Sequence, residues 1–227
     1  MSEKLEPLDL LKELSAAKAR LAFFTTFTLD LAFFEAEVFE VLQAADKDVQ
    51  AIVLADRMSY LETALAGRFV RKAESEYRLF PFTPTGPTFH PKVIFLAGND
   101  WARLYVGSGN VTRPGFARNL EIFDRIETST AAPAHAACFK SFAEFMKQLA
   151  KPSGAPANAS KSLSAVIEAA ERFSNGPDDG EIVFGSTFQR SLLEDLKRHP
   201  ISNCRDILVA SPFHDPDNSA LTELGEL

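Results

Sequence analysis

The chain of 227 residues is 46% hydrophobic and holds 20 Phe, enough apolar surface for a sizeable core, which excludes a disordered or low-complexity protein. Its net charge of -7 excludes a nucleic-acid binder that works by bulk basicity, and no run approaches the roughly 18 apolar residues of a membrane helix. The charged start "MSEKLEPLDLLKEL" lacks a signal-peptide core, so the expected compartment is cytoplasmic, and Cys138 and Cys204 are too far apart to indicate a disulfide framework or a zinc site.

In chain order, residues 6–19 place Leu8, Leu11, Leu14 and Ala17 at helical spacing, with Pro7 suited to a first turn. "RLAFFTTFTL" predicts a buried strand, Asp30 a helix N-cap, and "LAFFEAEVFEVLQAA" the helix it starts. A second apolar strand, "DVQAIVLAD", precedes the helical "SYLETALAGRFV". This β, α, β, α order predicts an α/β/α sandwich lobe around a mixed, largely parallel sheet. "YRLFPF" is a short strand and "PTGP" a turn. "FHPKVIFLA" and "ARLYVGS" flank the tight-turn signal "GND" and form a hairpin, followed by the strand "NLEIFDRIE" and the long helix "HAACFKSFAEFMKQLA".

"KPSGAPANAS" then reads as a linker or exposed loop, before a helix at 161–173, the acidic turn "SNGPDDGE" and a helix over "TFQRSLLEDLKRH". "DILVASPFHDPDNSALTELGEL" repeats the pattern near residue 20: a buried strand, a polar break and the start of an amphipathic helix. The organisation expected is a catalytic lobe over 1–150, a linker and helical connection over 151–205, and the opening of a second lobe over 206–227 of a chain cut short.

Charge is uneven. Residues 57–125 hold ten Lys or Arg against six acids, a net of +4, while the remainder sums to -11. Within this basic segment, His90 and Lys92 are two apart and project from one face of a strand, which puts an imidazole and an ammonium side by side. A polar, solvated strand face is the simpler alternative for that pair alone. Gly107 to Asn110, "GSGN", follows as a turn of small residues whose N–H groups, Ser108 hydroxyl and Asn110 amide could approach an anion, and Glu121 comes eleven residues later.

With these residues the sequence resembles the phospholipase D superfamily, whose signature runs H-x-K, four residues, Asp, then G-S-x-N and a downstream carboxylate. His90, Lys92, Gly107, Ser108, Asn110 and Glu121 match, over a resemblance that spans about residues 8–150. Ala97 stands where the signature has Asp, with Asp100 three residues further on; this departure points away from the lipid-cleaving members and toward the nuclease-like ones.

The resemblance implies metal-independent cleavage of a phosphodiester, without a cofactor, through a phosphohistidine on His90, with His90 alternatively the general acid. Lys92 and Asn110 would hold the non-bridging oxygens, and Glu121 would bond the other ring nitrogen of His90. Gly107, Ser108, Arg113 and Arg118 are further candidates for substrate binding. His135, His199 and His214 read as structural or loop residues. Two histidines are needed and only one H-x-K is present, so the other half of the site is expected from a C-terminal lobe or from a homodimer. The substrate expected is DNA or RNA; the alternatives are a lipid phosphodiester or a non-catalytic nucleic-acid-binding or scaffold lobe.

Overall fold

The computed structural model describes residues 8–66, 71–83, 89–151 and 154–177, with scattered positions between 182 and 222. Strands β1 (Leu21–Thr26) and β2 (Gln50–Asp56) are buried on both faces apart from Gln50, as inner strands covered by two layers must be. β1 pairs with β2 in parallel, and β2 with β3 (Arg78–Phe82) in parallel. On the other side of β1 come β4 (Val93–Ala97), β5 (Trp101–Gly107) and β6 (Phe123–Ser129), each antiparallel to its neighbour, in the order β3-β2-β1-β4-β5-β6.

The sheet is thus mixed, parallel in one half and antiparallel in the other. β1 and β2, and β2 and β3, are joined through helices and run in the same direction, whereas the turn after Ala97, closed by Gly98 N–H donating to Trp101 O at 3.0 Å, permits only a hairpin; β5 and β6 are antiparallel although a short helix lies between them.

Helix α1 (Leu10–Ala17) is capped by Asp9, whose side chain accepts from Lys12 N. Its buried face is Leu10 and Leu14; Leu8, expected in that stripe, is exposed. Asp30 caps the next helix as expected, accepting from Phe33 N at 3.0 Å. That helix is not uniform: α2 (Leu31–Phe33) passes into a π-helical segment, Phe34–Phe39, and then α3 (Glu40–Ala45). The wider turn carries Glu35 into the interior, where its carboxylate accepts from the N–H groups of Arg71, Lys72 and Ala73 and from Tyr77 Oη. α4 (Arg57–Ala66), α5 (Arg113–Ala117), α6 (Ala136–Leu149) and α7 (Ser160–Glu171) follow.

Side chains alternate across the strands and feed two cores. Ala22, Phe24, Val53, Ile94, Leu96 and Tyr105 pack with Leu10, Leu14, Phe34, Phe39 and Leu42. On the opposite face Phe95 meets Phe142 of α6 at 5.0 Å, and α7 packs on α6 with Leu163, Val166 and Ala170 buried. The described part of 151–160 is anchored at points and exposed between them: Thr83 N–H donates to Gly154 O at 3.0 Å and Ala155 and Ala159 are buried, while Lys151, Ala157, Asn158 and Ser160 are exposed.

The chain divides into the units Met1–Ile182 and Val183–Leu227, the second described at isolated positions only. The expected strand at 206, the "PTGP" turn, Pro7, His199, Cys204 and His214 lie outside the described residues, as does much of the helix expected over 187–199. Cys138 is buried. No helix among the described residues is long and apolar enough to cross a membrane.

Candidate functional site

The carboxyl ends of β1 and β2 meet the chain entering β4 and leaving β5. His90 and Lys92 sit there, just before β4 and not within it as the two-residue alternation implied. The ladder starts only at Val93, whose N–H donates to Thr25 Oγ1 of β1 at 2.9 Å. Local bonds fix the approach instead: Phe89 N–H reaches Asp56 Oδ2 at 3.4 Å, and Gly107 N–H donates to Lys92 O at 3.1 Å. The two side chains still come together. Lys92 Nζ lies 2.7 Å from His90 Nδ1, 3.3 Å from Nε2 and 3.1 Å from His90 O.

Phe27 packs its ring against the imidazole at 4.6 Å between centroids. It is the exception among the early phenylalanines, since Phe23, Phe24, Phe33, Phe34 and Phe39 are buried in the core.

Burial sets the electrostatics. Lys92 is 9% exposed, and desolvation lowers its ammonium from the ordinary range to about 8, with the Glu121 charge opposing. His90 is also pushed below its ordinary value, by desolvation first and by Lys92 second, against the pull of Asp56. At neutral pH the pair is therefore a neutral imidazole beside an ammonium. An ammonium only donates, so the imidazole accepts from Lys92, whose closer approach is to Nδ1.

The "GSGN" turn works differently from expectation. Gly107 N–H and Ser108 N–H are spent on Lys92 O and Ile122 O, so neither is free for an anion. A Cβ at Gly107 would stand 2.4 Å from Ile122 O, and one at Gly109 2.6 Å from Gly115 O. These glycines serve close backbone approach.

Asn110 ties the turn to the exit of β1: its Oδ1 accepts from Phe27 N at 3.2 Å and Thr28 N at 3.1 Å. Only a carbonyl oxygen can face two N–H donors, which leaves the amide NH2 as the group able to bind an anion. Glu121 precedes β6 instead of entering it. Its carboxylate is held by the Ser108 hydroxyl and by Asn119 Nδ2, so the bond expected from Glu121 to His90 is replaced by the contact of Lys92 with His90.

Arg113 is drawn away from the pair, into an ion pair with Glu37 and against the Phe33 ring at 5.7 Å. Arg118, at the end of α5, is exposed, and among the described residues it makes no ion pair. Ala97, buried, pairs with Leu21 at the far end of β4 from Lys92, and Asp100 lies in the β4–β5 turn. His135 stands at the start of α6. Among the described residues no group of three His, Cys, Asp or Glu is placed to hold a metal.

Asp56 is the neighbour of His90 that sequence reading passed over. The signal for Asp56 was present: an acid closing an apolar strand in an α/β pattern marks the sheet end where such folds bind ligands.

No family model matches the chain, and no curated protein does. Among solved structures that match is NucT from Helicobacter pylori, at 9% identity and a TM-score of 0.36, covering 73% of this chain and 87% of that one.

Proposed function

We propose that the chain is a phosphodiesterase of phospholipase D-like type that cleaves DNA or RNA, with His90 as the reacting group. The observation that carries this reading is the pair itself: a buried ammonium held 2.7 Å from the neutral imidazole of an exposed histidine, at the sheet end where two strands terminate. Neither group has a described carboxylate bonded to it, so each has capacity left for a substrate. An incoming phosphodiester offers Lys92 an anion in place of His90, and Lys92 with the Asn110 amide would hold its non-bridging oxygens.

Release from Lys92 lets the ring proton settle on Nδ1 and bares the Nε2 lone pair. Nε2 then attacks phosphorus in line, the P–O bond to the leaving group breaks, and a second histidine protonates that oxygen. Water hydrolyses the phosphohistidine, giving the phosphate monoester and restoring His90. The second histidine is supplied by a second lobe, for which the strand expected at 206 would be the start, or by a second copy of the chain. Glu121 acts through Lys92, favouring its charged form. Nucleic acid is preferred to lipid because the pair lies in the basic segment 57–125, in which Arg118 is exposed. Such a protein would work in the cytoplasm.

The test is hydrolysis of bis(p-nitrophenyl) phosphate, DNA and RNA by the full chain in EDTA, with wild type beside His90→Ala. Hydrolysis that persists in EDTA and falls at least about 100-fold in the variant is expected. A requirement for divalent metal, or activity that survives the loss of His90, overturns the mechanism. Binding without hydrolysis favours the scaffold reading.

A further inference from the structure

We propose that Asp56 is the positioning residue of His90: its buried carboxylate anchors the backbone that carries the imidazole and supplies the negative charge that balances the imidazolium formed there. This rests on the reading of His90 as the reacting group.

Asp56 ends the apolar run of β2 and is 6% exposed. Oδ1 accepts from Met58 N at 2.9 Å, which caps the start of α4, and Oδ2 reaches Phe89 N, the residue before His90, at 3.4 Å. A carboxylate offers about four acceptor positions, and here two neutral backbone donors face it, one at long range. Among the described residues it has no ion pair. A serine or asparagine would cap α4 as well without a buried charge, so capping does not account for the acid. An uncompensated buried charge is costly unless a cation completes it. The group beside it that becomes a cation is His90.

The other carboxylate within reach is committed elsewhere. Glu121 accepts from the Ser108 hydroxyl and from Asn119 Nδ2, and its charge is felt by Lys92. The charged groups acting on His90 are Lys92 from its own segment, which disfavours the protonated ring, and Asp56 from β2, which favours it; Phe27, from the exit of β1, contributes an uncharged face. A charge held behind the backbone of residue 89 stays in place when Lys92 turns to a phosphate. It therefore acts at the step where the imidazolium is needed.

The test is the NMR titration of the His90 ring in wild type, Asp56→Asn and Glu121→Gln, with His90→Gln to assign the signal. The expected result is a midpoint moved to lower pH in Asp56→Asn and unmoved in Glu121→Gln. An unmoved midpoint in Asp56→Asn, or an equal or larger movement in Glu121→Gln, overturns the assignment. If Asp56→Asn does not fold, Asp56→Ser, which keeps an acceptor for Met58 N without the charge, decides: its His90 midpoint should also move to lower pH, and an unmoved midpoint overturns the proposal.

Phosphodiester hydrolysis is measured on the same proteins. The acidic limb of kcat/KM should move to lower pH in Asp56→Asn, a change that a purely structural role would not produce. Shifted titrations with no hydrolysis by wild type would sink the phosphodiesterase reading and leave Asp56 standing. Hydrolysis with unshifted titrations would sink Asp56 alone.

Discussion

Glu35 and Lys92 are both ionisable and nearly inaccessible, at 8% and 9% exposure, yet their surroundings differ in kind. Glu35 receives four donors, three of them consecutive N–H groups of 71–73 and the fourth Tyr77 Oη at 3.0 Å. Such a carboxylate has nothing left for a ligand, and its effect is to hold the 71–77 segment to the π-helical turn. The same burial, and the Glu35 charge, push the Tyr77 hydroxyl far above its usual range. Lys92 instead faces an imidazole and a carbonyl oxygen, both neutral, while Glu121 is bonded to other groups. Its ammonium is lowered to about 8 because the Glu121 charge offsets its desolvation only in part. A satisfied buried charge is architecture; an unsatisfied one is relieved by binding an anion.

The largest effect expected from breaking this contrast is at Glu35. Glu35→Leu leaves three part-buried N–H groups and the buried Tyr77 hydroxyl without their acceptor, and should cost about 2–4 kcal/mol in urea or thermal unfolding. Hydrolysis per folded molecule should not change. Loss of hydrolysis in a variant that is still folded would erase the distinction between the two sites.

Lys92→Met should behave in the opposite way, with hydrolysis down about 100- to 1000-fold and stability at pH 7 equal or higher by about 1–2 kcal/mol. The sign follows from linkage. The folded-state ammonium titrates at about 8, below its ordinary 10.5, so between those values the unfolded chain holds the proton more tightly. Lys92 therefore makes wild-type stability rise as pH climbs from about 8 to 10.5, and Lys92→Met should lack that rise. Parallel curves for the two proteins would show that burial of this ammonium carries no strain.

What was legible in the sequence was the part set by local pattern. The capping acid Asp30, the hairpin around "GND", the all-apolar strands and the two-layered cover all follow from periodicity and turn chemistry, whereas the cap Asp9 was passed over. The nearness of His90 to Lys92 was legible too, although the alternation used to infer it belongs to a strand that begins only at Val93. Long-range hydrogen bonding was not legible. Nothing local says that Glu121 spends its carboxylate on Ser108, that Gly107 and Ser108 spend their N–H groups on Lys92 O and Ile122 O, or that Asp56 reaches residue 89. These pairings depend on which strands lie side by side. The sequence reading also gave Arg113 and Arg118 equal standing, since a charge has no visible partner until the chain is folded.

That pair of arginines gives the smallest and most specific test. Arg113 is satisfied by Glu37 and by the Phe33 ring, as Glu35 is satisfied by its loop, whereas Arg118 is exposed and, among the described residues, makes no ion pair. If the contrast between satisfied and unsatisfied charge holds on the surface as well, only Arg118 contributes to phosphate binding. Arg118→Ala should weaken DNA or RNA binding and lower the slope of log affinity against log salt by about one, as loss of a single phosphate contact does. Arg113→Ala should leave that slope unchanged and cost no more than about 1 kcal/mol of stability, the range of an exposed ion pair. Titrations at several salt concentrations separate the two, and an equal change of slope in both variants would mean that Arg113 leaves Glu37 for the nucleic acid.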